Sequence, residues 1–254
     1  MSAEPLILPK TEAANIQGPL GLVGTIQAWD PWESRKSAKH AKYWVSKIAR
    51  LSHGLGEAED FEAHFDRVVN KLHHESVLEF VPMLSFGSDQ GTSIPDQSWR
   101  KFHASEELVC EWGSGRGGSL EGDQKEVPAT AFLVECPLIV RAQWMRHRSQ
   151  AFLEMSRRYV KGSNVPFQFY GTEEDAMLDD LFDQAIRTYN HLLDTGWPPE
   201  RARIAIPQGA MTKFWCAAFD RDWQAFLALR NDPHAQAEIR AFASWIAGYL
   251  ETKV

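Results

Sequence analysis

Apolar positions recur at helical spacing through much of the chain and divide it into elements. Tyr43, Trp44 and Ile48 share one face of a segment from Ser37 to Leu51, which predicts a helix. Phe61, Phe65, Val68, Val69 and Leu72 repeat that spacing, and Asp60 suits the N-cap of a second helix. A longer stripe, Leu178, Leu181, Phe182, Ala185, Ile186, Tyr189 and Leu193, predicts a third. Thr172 is read as its cap, with Glu173, Glu174 and Asp175 in the first turn, where negative charge suits the helix dipole. Gly196 and Pro198 end it. Short helices are expected near 200–206, 211–217 and 221–229, and a final one from Asp232-Pro233 to about Glu251.

The strand signals are fewer. "AFLVEC", 131–136, reads as a strand, and Pro137 suits the first turn of a helix carrying Gln143 to Arg148. "LEFVPMLSF", 78–86, has strand character, with Pro82 confining it to an edge or a bulge. Residues 1–34, rich in Pro and Gly, are expected to form an irregular arm. Residues 87–128 are polar and turn-rich around a short helix at 104–112; so long an excursion is read as a lid over a cofactor or a subunit edge. No internal repeat or linker interrupts the pattern, and a single α+β domain over 1–254 is expected.

Composition narrows the function. Of 254 residues, 44% are apolar and 24% charged, as in ordinary globular chains. A formal net charge of −7 argues against a nucleic-acid partner, so local clusters of arginine point to a small anionic ligand. Cys110, Cys136 and Cys216 are odd in number, far apart and without zinc spacing, which predicts a reduced, cytoplasmic protein. There is no apolar stretch of signal length and no run near the ~20 apolar residues of a membrane span, so no membrane association is expected.

Four stretches carry chemistry. In "QWMRHR", on a helix over 138–148, Gln143, Arg146 and His147 would share a face while Arg148 turns toward another ligand or subunit. Planar guanidinium groups suit phosphate, pyrophosphate or heterocycle oxygens; the bland alternative is a solvated basic helix end. In "LEMSRRY", Glu154, Ser156 and Arg158 alternate as on one face of an extended segment, able to hold a sugar hydroxyl and a phosphate. A surface ion pair worth at most ~1 kcal/mol is the alternative there. "LHHESVLEF" offers His73, His74, Glu75 and Glu79, and with His234 keeps a metal-dependent hydrolase open, although the spacing fits no standard zinc site. Arg203, Arg221 and Arg230 are flanked by apolar residues, so each needs an anionic ligand or one of the 34 acidic side chains. A non-catalytic nucleotide-binding or RNA-binding module reusing these arginines also stays open.

Together these stretches resemble the flavin-dependent thymidylate synthases. That family's signature is R-H-R-x-x-S-x-N-x-x-S-x-R-Y, usually preceded by Q-W and with Glu after the Asn. Gln143, Trp144, Arg146, His147, Arg148, Glu154, Ser156, Arg158 and Tyr159 match in register. "ARLS" at 49–52, "HESVLEF" at 74–80, "ARIAIP" at 202–207 and "FLALRNDPHAQAEIR" at 226–240 resemble four further blocks in order. The resemblance implies a small central, mainly antiparallel sheet flanked by helices, in a homotetramer with FAD sites between subunits. It implies C5-methylation of a uracil nucleotide, with methylenetetrahydrofolate as carbon donor and NADPH reducing the flavin. By position, Arg230 would be the catalytic group acting at the uracil N3 region. Gln143, Arg146, Glu154, Met155, Ser156, Arg157, Arg158 and Arg203, with Arg230, would hold the nucleotide monophosphate. Ser76, Arg146, His147, Arg148, Glu154 and Arg221 would hold FAD.

The chain departs from the signature at Ala151, Leu153, Phe80, Phe219 and Ala225, each replacing a hydrogen-bonding group with an apolar one. The altered surroundings of Leu153 and Glu154 motivate the expectation that UMP is accepted alone or beside dUMP, as in the related uridylate methylase of polyoxin-type antibiotic biosynthesis. An apolar wall discriminates poorly against an added hydroxyl, by about a hundredfold at most.

Overall fold

A computed structural model describes residues 13–30, 38–72, 74–80, 85–86, 124–125, 129–162, 164–172 and 174–253. The centre is a five-stranded antiparallel sheet in the order β1-β2-β5-β7-β6. Its strands are β1 (Ala13–Gly18), β2 (Gly21–Trp29), β5 (Ala129–Pro137), β6 (Ala151–Glu154) and β7 (Met211–Phe219). A separate two-residue pair, β3 (Ser85–Phe86) with β4 (Gln124–Lys125), brackets the region between them. The helices are α1 (Ala38–Leu51), α2 (Phe61–Phe65), α3 (Leu138–Trp144), α4 (Ala176–Asp194), α5 (Pro199–Ala202), α6 (Asp220–Arg230) and α7 (Ala237–Thr252). The expected α+β class with a mainly antiparallel sheet is therefore the observed one.

The period-2 alternation of the strands divides the core in two. Ala129, Ala131, Trp215, Ala217, Phe219 and Ala151 face one side, where α1 lays Ala41, Trp44, Val45 and Ile48 over them. Trp29, Trp44 and Trp215 form a triangle there, with centroids 5.3 to 5.9 Å apart. Phe132, Val134, Phe214, Cys216 and Ala218 face the other side, under α3, α6 and α7. A sheet covered on both faces has no polar face, so its inner strands read as nearly unbroken apolar runs.

Several expectations need correction. Residues 13–29, expected to belong to an irregular arm, form the β1–β2 hairpin, closed across Pro19-Leu20 with Gly21 at φ +78°. The Pro and Gly there serve one turn and one close approach: a Cβ on Gly24 would lie 1.9 Å from Glu135 O on β5. Residues 211–217, expected as a helix, are the core of β7. "MTKFWCAAF" is apolar on both faces, and periodicity alone cannot separate such a strand from a buried helix. Residues 78–80 belong to a 3₁₀ turn, Glu75–Phe80, rather than a strand. The second helix begins as expected, with Asp60 accepting from Ala63 N at 2.9 Å, but passes into a π-helical turn over Asp66–Lys71, leaving Leu72 exposed. α4 is capped by Asp175, which accepts from Met177 N and Leu178 N, while Thr172 instead donates to Phe169 O. Leu181 is 51% exposed, off the buried stripe of Phe182, Ala185 and Tyr189. The expected helix at 104–112 and Cys110 lie outside the described residues. Cys136 and Cys216 are buried free thiols. Among the described residues, no helix is long and apolar enough to cross a membrane.

Candidate functional site

The arginine-rich segment begins where β5 turns into α3. Pro137 occupies the N-cap, and the first amides, Leu138 N and Ile139 N, are satisfied by the carbonyls of Ala210 and Gln208. The helix has only seven residues and ends at Trp144. Arg146, His147 and Arg148 thus lie in the turns that follow, not on the helix expected to carry them. Trp144 anchors this exit: it is fully buried among Phe214, Phe226 and Phe242, and its Nε1 donates to Gln150 Oε1 at 3.1 Å.

Arg230, the last residue of α6, reaches this exit from the opposite direction. Its Nε donates to His147 Nε2 at 2.9 Å, and its Nη2 donates to Gln143 O at 2.9 Å, capping a terminal carbonyl of α3. The His147 ring packs on Phe226 with centroids 4.9 Å apart. The Gln143 side chain bonds Gln236, just before α7. Gln143, Arg146, His147 and Arg230, scattered over 88 positions of sequence, thereby become neighbours through contacts separated by 83 and 87 residues.

Positive charge and burial act on each other within this cluster. Burial, and then the nearby Arg146, push the Arg230 guanidinium below its usual range. Burial, and then Arg230, bring His147 down to about 4, so the ring is neutral near pH 7. Among the described residues no carboxylate lies within ion-pairing distance of Arg146 or Arg230. Two nearby guanidinium groups repel each other, and an anion between them would relieve that repulsion.

A second group surrounds a cavity of about 940 Å³ at the edge where β6 meets the start of β7. Arg141, Glu154, Ser156 and Arg203 line it, with Phe167 and Trp197 as apolar walls. Glu154 Oε2 accepts from Arg141 Nη2 at 2.5 Å and Nε at 3.1 Å, while Oε1 accepts from Thr212 Oγ1 at 2.8 Å. Met155 is buried, and its N–H extends the β7 pairing to Lys213 O at 2.9 Å. Arg157 lines the cavity but spends its donors on Val165 O and Pro166 O, and its guanidinium stacks 4.2 Å above Phe167. Ser156 Oγ accepts from Arg158 N at 3.3 Å. Arg203 is exposed, with Nε donating to Glu200 O at 3.2 Å.

The remaining expected site residues join neither group within one chain. Arg158 sits in the turn after β6, over the Tyr159 ring that stacks on His53. The alternation from Glu154 to Arg158 thus stops at Glu154, where β6 ends. Arg148 is exposed beyond the α3 exit, and Ser76 is exposed in the 3₁₀ turn. Arg221 opens α6, 3.9 Å from Asp222 and over the Phe219 ring. His73 and the side chains of Glu75 and Glu79 lie outside the described residues, and His234 bonds Asp232 at 2.9 Å. Among the described residues, no three His, Cys, Asp or Glu side chains are placed to hold a metal ion.

Arg141 and Thr212 are the polar partners that sequence reasoning missed. Their signal was register: β6 pairs antiparallel with β7, Glu154 opposite Phe214, which puts Thr212 within reach of Glu154. A helix over 211–217 would have no such register. Four of the apolar departures serve packing, while Ala225 is exposed on α6 and nothing in the structure explains it. Phe80, Ala151 and Phe219 are buried in the α1-side core, and Leu153 packs against it.

Residues 123–253 match the family model of the thymidylate synthase complementing protein, Thy1. The chain belongs to this family. It is 34% identical over 132 residues to a flavin-dependent thymidylate synthase of Thermotoga neapolitana, covering 48% of this chain and 61% of that one. Over 145 residues it is 31% identical to the namesake of Aquifex aeolicus, covering 48% and 46% respectively. The match thus spans 46% to 61% of the length of these two relatives. A solved structure of a UMP/dUMP methylase, PolB from Streptomyces cacaoi bound with 5-Br UMP, overlaps 49% of this chain and 68% of that chain, with 23% identity and a TM-score of 0.42. At that overlap the likeness carries no weight for function. The family motif runs through both groups of side chains described above.

Proposed function

We propose that the chain is an enzyme catalysing flavin-dependent C5-methylation of a uracil nucleotide monophosphate, UMP or dUMP or both. Methylenetetrahydrofolate would donate the carbon, and NADPH would reduce the flavin. The observation that carries this reading is the nearness of Arg146 and Arg230, with no ion-paired carboxylate among the described residues, at positions that match the family motif. The names of the Thermotoga and Aquifex relatives support the flavin and the reaction class.

A uracil ring activated at C5 accumulates negative charge on N3 and its carbonyl oxygens. Arg230, always charged near neutral pH, would stabilise that charge as it develops. Gln143 and Arg146 would complete the contacts to the base and phosphate. Glu154, Ser156 and Arg203, with Met155 and Arg157 as wall, would hold the sugar and phosphate in the larger cavity. The positive charge of Arg146 and Arg148 suits a pyrophosphate, so these two would hold FAD, with Arg221 and Ser76. When bound, FAD would supply the hydride that completes the methyl group. The distribution of these residues over separate patches of one chain supports a site completed between subunits of a homotetramer.

Absorbance of the purified protein with added FAD, before and after NADPH, tests the cofactor. Methyl transfer to UMP and to dUMP with methylenetetrahydrofolate tests the reaction. Bleaching of the flavin and a C5-methylated product are expected. No flavin binding and no product with either nucleotide would refute the proposal; strict dUMP selectivity would remove its UMP arm.

A further inference from the structure

We infer that His147 is a positioning residue for Arg230: its neutral ring, protonated on Nδ1, accepts from Arg230 Nε and fixes which edge of that guanidinium a ligand meets. The inference rests on the proposed catalytic role of Arg230 for its functional consequence, but not for its geometry.

The geometry leaves little freedom. A guanidinium carries five N–H donors and no acceptor. The Nε/Nη2 edge of Arg230 is committed to the protein, Nε to His147 Nε2 and Nη2 to Gln143 O, each at 2.9 Å. Three N–H groups, two on Nη1 and one on Nη2, remain for a ligand, two of them side by side on the terminal edge. For His147 to accept at Nε2, that nitrogen must be unprotonated. An imidazolium, or the Nε2–H tautomer, would set donor against donor at 2.9 Å. The ring plane is set from below by Phe226 and the backbone by His147 N donating to Trp144 O at 3.1 Å. The charged groups nearby are Arg230 on α6 and Arg146 in the same turn. Neither favours a third positive charge, and burial works in the same direction.

A helix cap alone would not need this arrangement. Gln143 O already caps through Nη2, and the Nε bond to an aromatic acceptor adds rotational control about the Arg230 stem. Misplacement of a catalytic group by about 1 Å can cost on the order of a hundredfold in rate. His147 would thus act on the reaction through Arg230, not by touching the base.

Two measurements test this. In the full-length chain labelled with ¹⁵N-histidine, without added cofactor, His147 should show the Nδ1–H tautomer, assigned by its loss in His147→Gln. It should stay neutral down to about pH 5. In Arg230→Met its titration should move up toward the ordinary value of 6.5. An Nε2–H tautomer, or titration near 6.5 with Arg230 intact, overturns the inference. In the uracil methylation assay, His147→Phe keeps the ring against Phe226 but lacks an acceptor. It should lower kcat tenfold to a hundredfold with little change in nucleotide KM. His147→Gln, whose side-chain oxygen can accept, should recover most of that loss. Unchanged kcat in His147→Phe, or no recovery in a folded His147→Gln, overturns the role. Absence of turnover in the unaltered protein refutes the proposed function instead, and the tautomer measurement still judges the bond.

Discussion

Arg230 shows how one side chain can hold a fold contact and still keep donors for the proposed ligand. Two of its five N–H donors bind the exit of α3, one to Gln143 O and one to His147 Nε2, and three remain. Arg230→Lys keeps the charge but cannot hold two protein acceptors and present a planar edge. A loss of about 10²–10³ in kcat for uracil methylation is expected, with a modestly lower thermal midpoint because one of the two acceptors loses its donor. His147 carries an acid-sensitive share of stability. Its folded pKa is lowered from 6.5 to about 4, so the unfolded chain takes the proton first. Stability from this group is intact above about pH 6.5 and declines as the pH falls toward 4. Urea unfolding at pH 7.5 and 4.5 should therefore show a larger loss for the unaltered chain than for His147→Gln. Gly24 has a different role, its missing Cβ making room for Glu135 O. Gly24→Ala should force the hairpin off β5 and destabilise by about 1–3 kcal/mol, read from a urea midpoint.

At the scale of elements, the signals that work are local and the ones that fail are shared between elements. α1 is legible because Trp44, Val45 and Ile48 fall on one face of a helix with a polar back. β5 is legible from its composition. β7 is not, because both of its faces are buried and no alternation survives. α3 is overextended by a sequence reading because Gln143 to Arg148 contains no helix breaker; Trp144, packed among three phenylalanines, ends it. The start of α4 distinguishes two caps that the sequence cannot rank. Asp175→Ala should cost about 1 kcal/mol in unfolding free energy, while Thr172→Ala should cost distinctly less. Equal losses would show that the Phe169 contact of Thr172 matters as much as the cap.

For the whole molecule, the sheet separates two cores that share a backbone but few side-chain contacts. Trp44 belongs to the α1 side, among Trp29 and Trp215; Phe242 belongs to the other, against Trp144. Each change to Ala should cost about 3–5 kcal/mol. In a background stable enough to carry both, their effects should add within about 0.5 kcal/mol, since they lie in different core clusters on opposite faces of the sheet. A strong coupling would mean that strain passes through the sheet. The α1-side core also explains why the chain lacks several hydrogen-bonding residues of the family signature. Phe80, Ala151, Leu153 and Phe219 serve packing there.

Taken by itself, the sequence determined the class of the fold, the helices with one apolar face and the arginine-rich stretches proposed to bind an anion. These depend on local periodicity and on chemistry carried by single side chains. Only the tertiary structure decided which of the arginines meet. Arg146 and Arg230 come together because α3 stops at Trp144 and α6 ends against it. Arg141 and Thr212 reach Glu154 because β6 and β7 pair in one register. Such contacts join residues tens of positions apart, and no pattern read along the chain carries the distance between them.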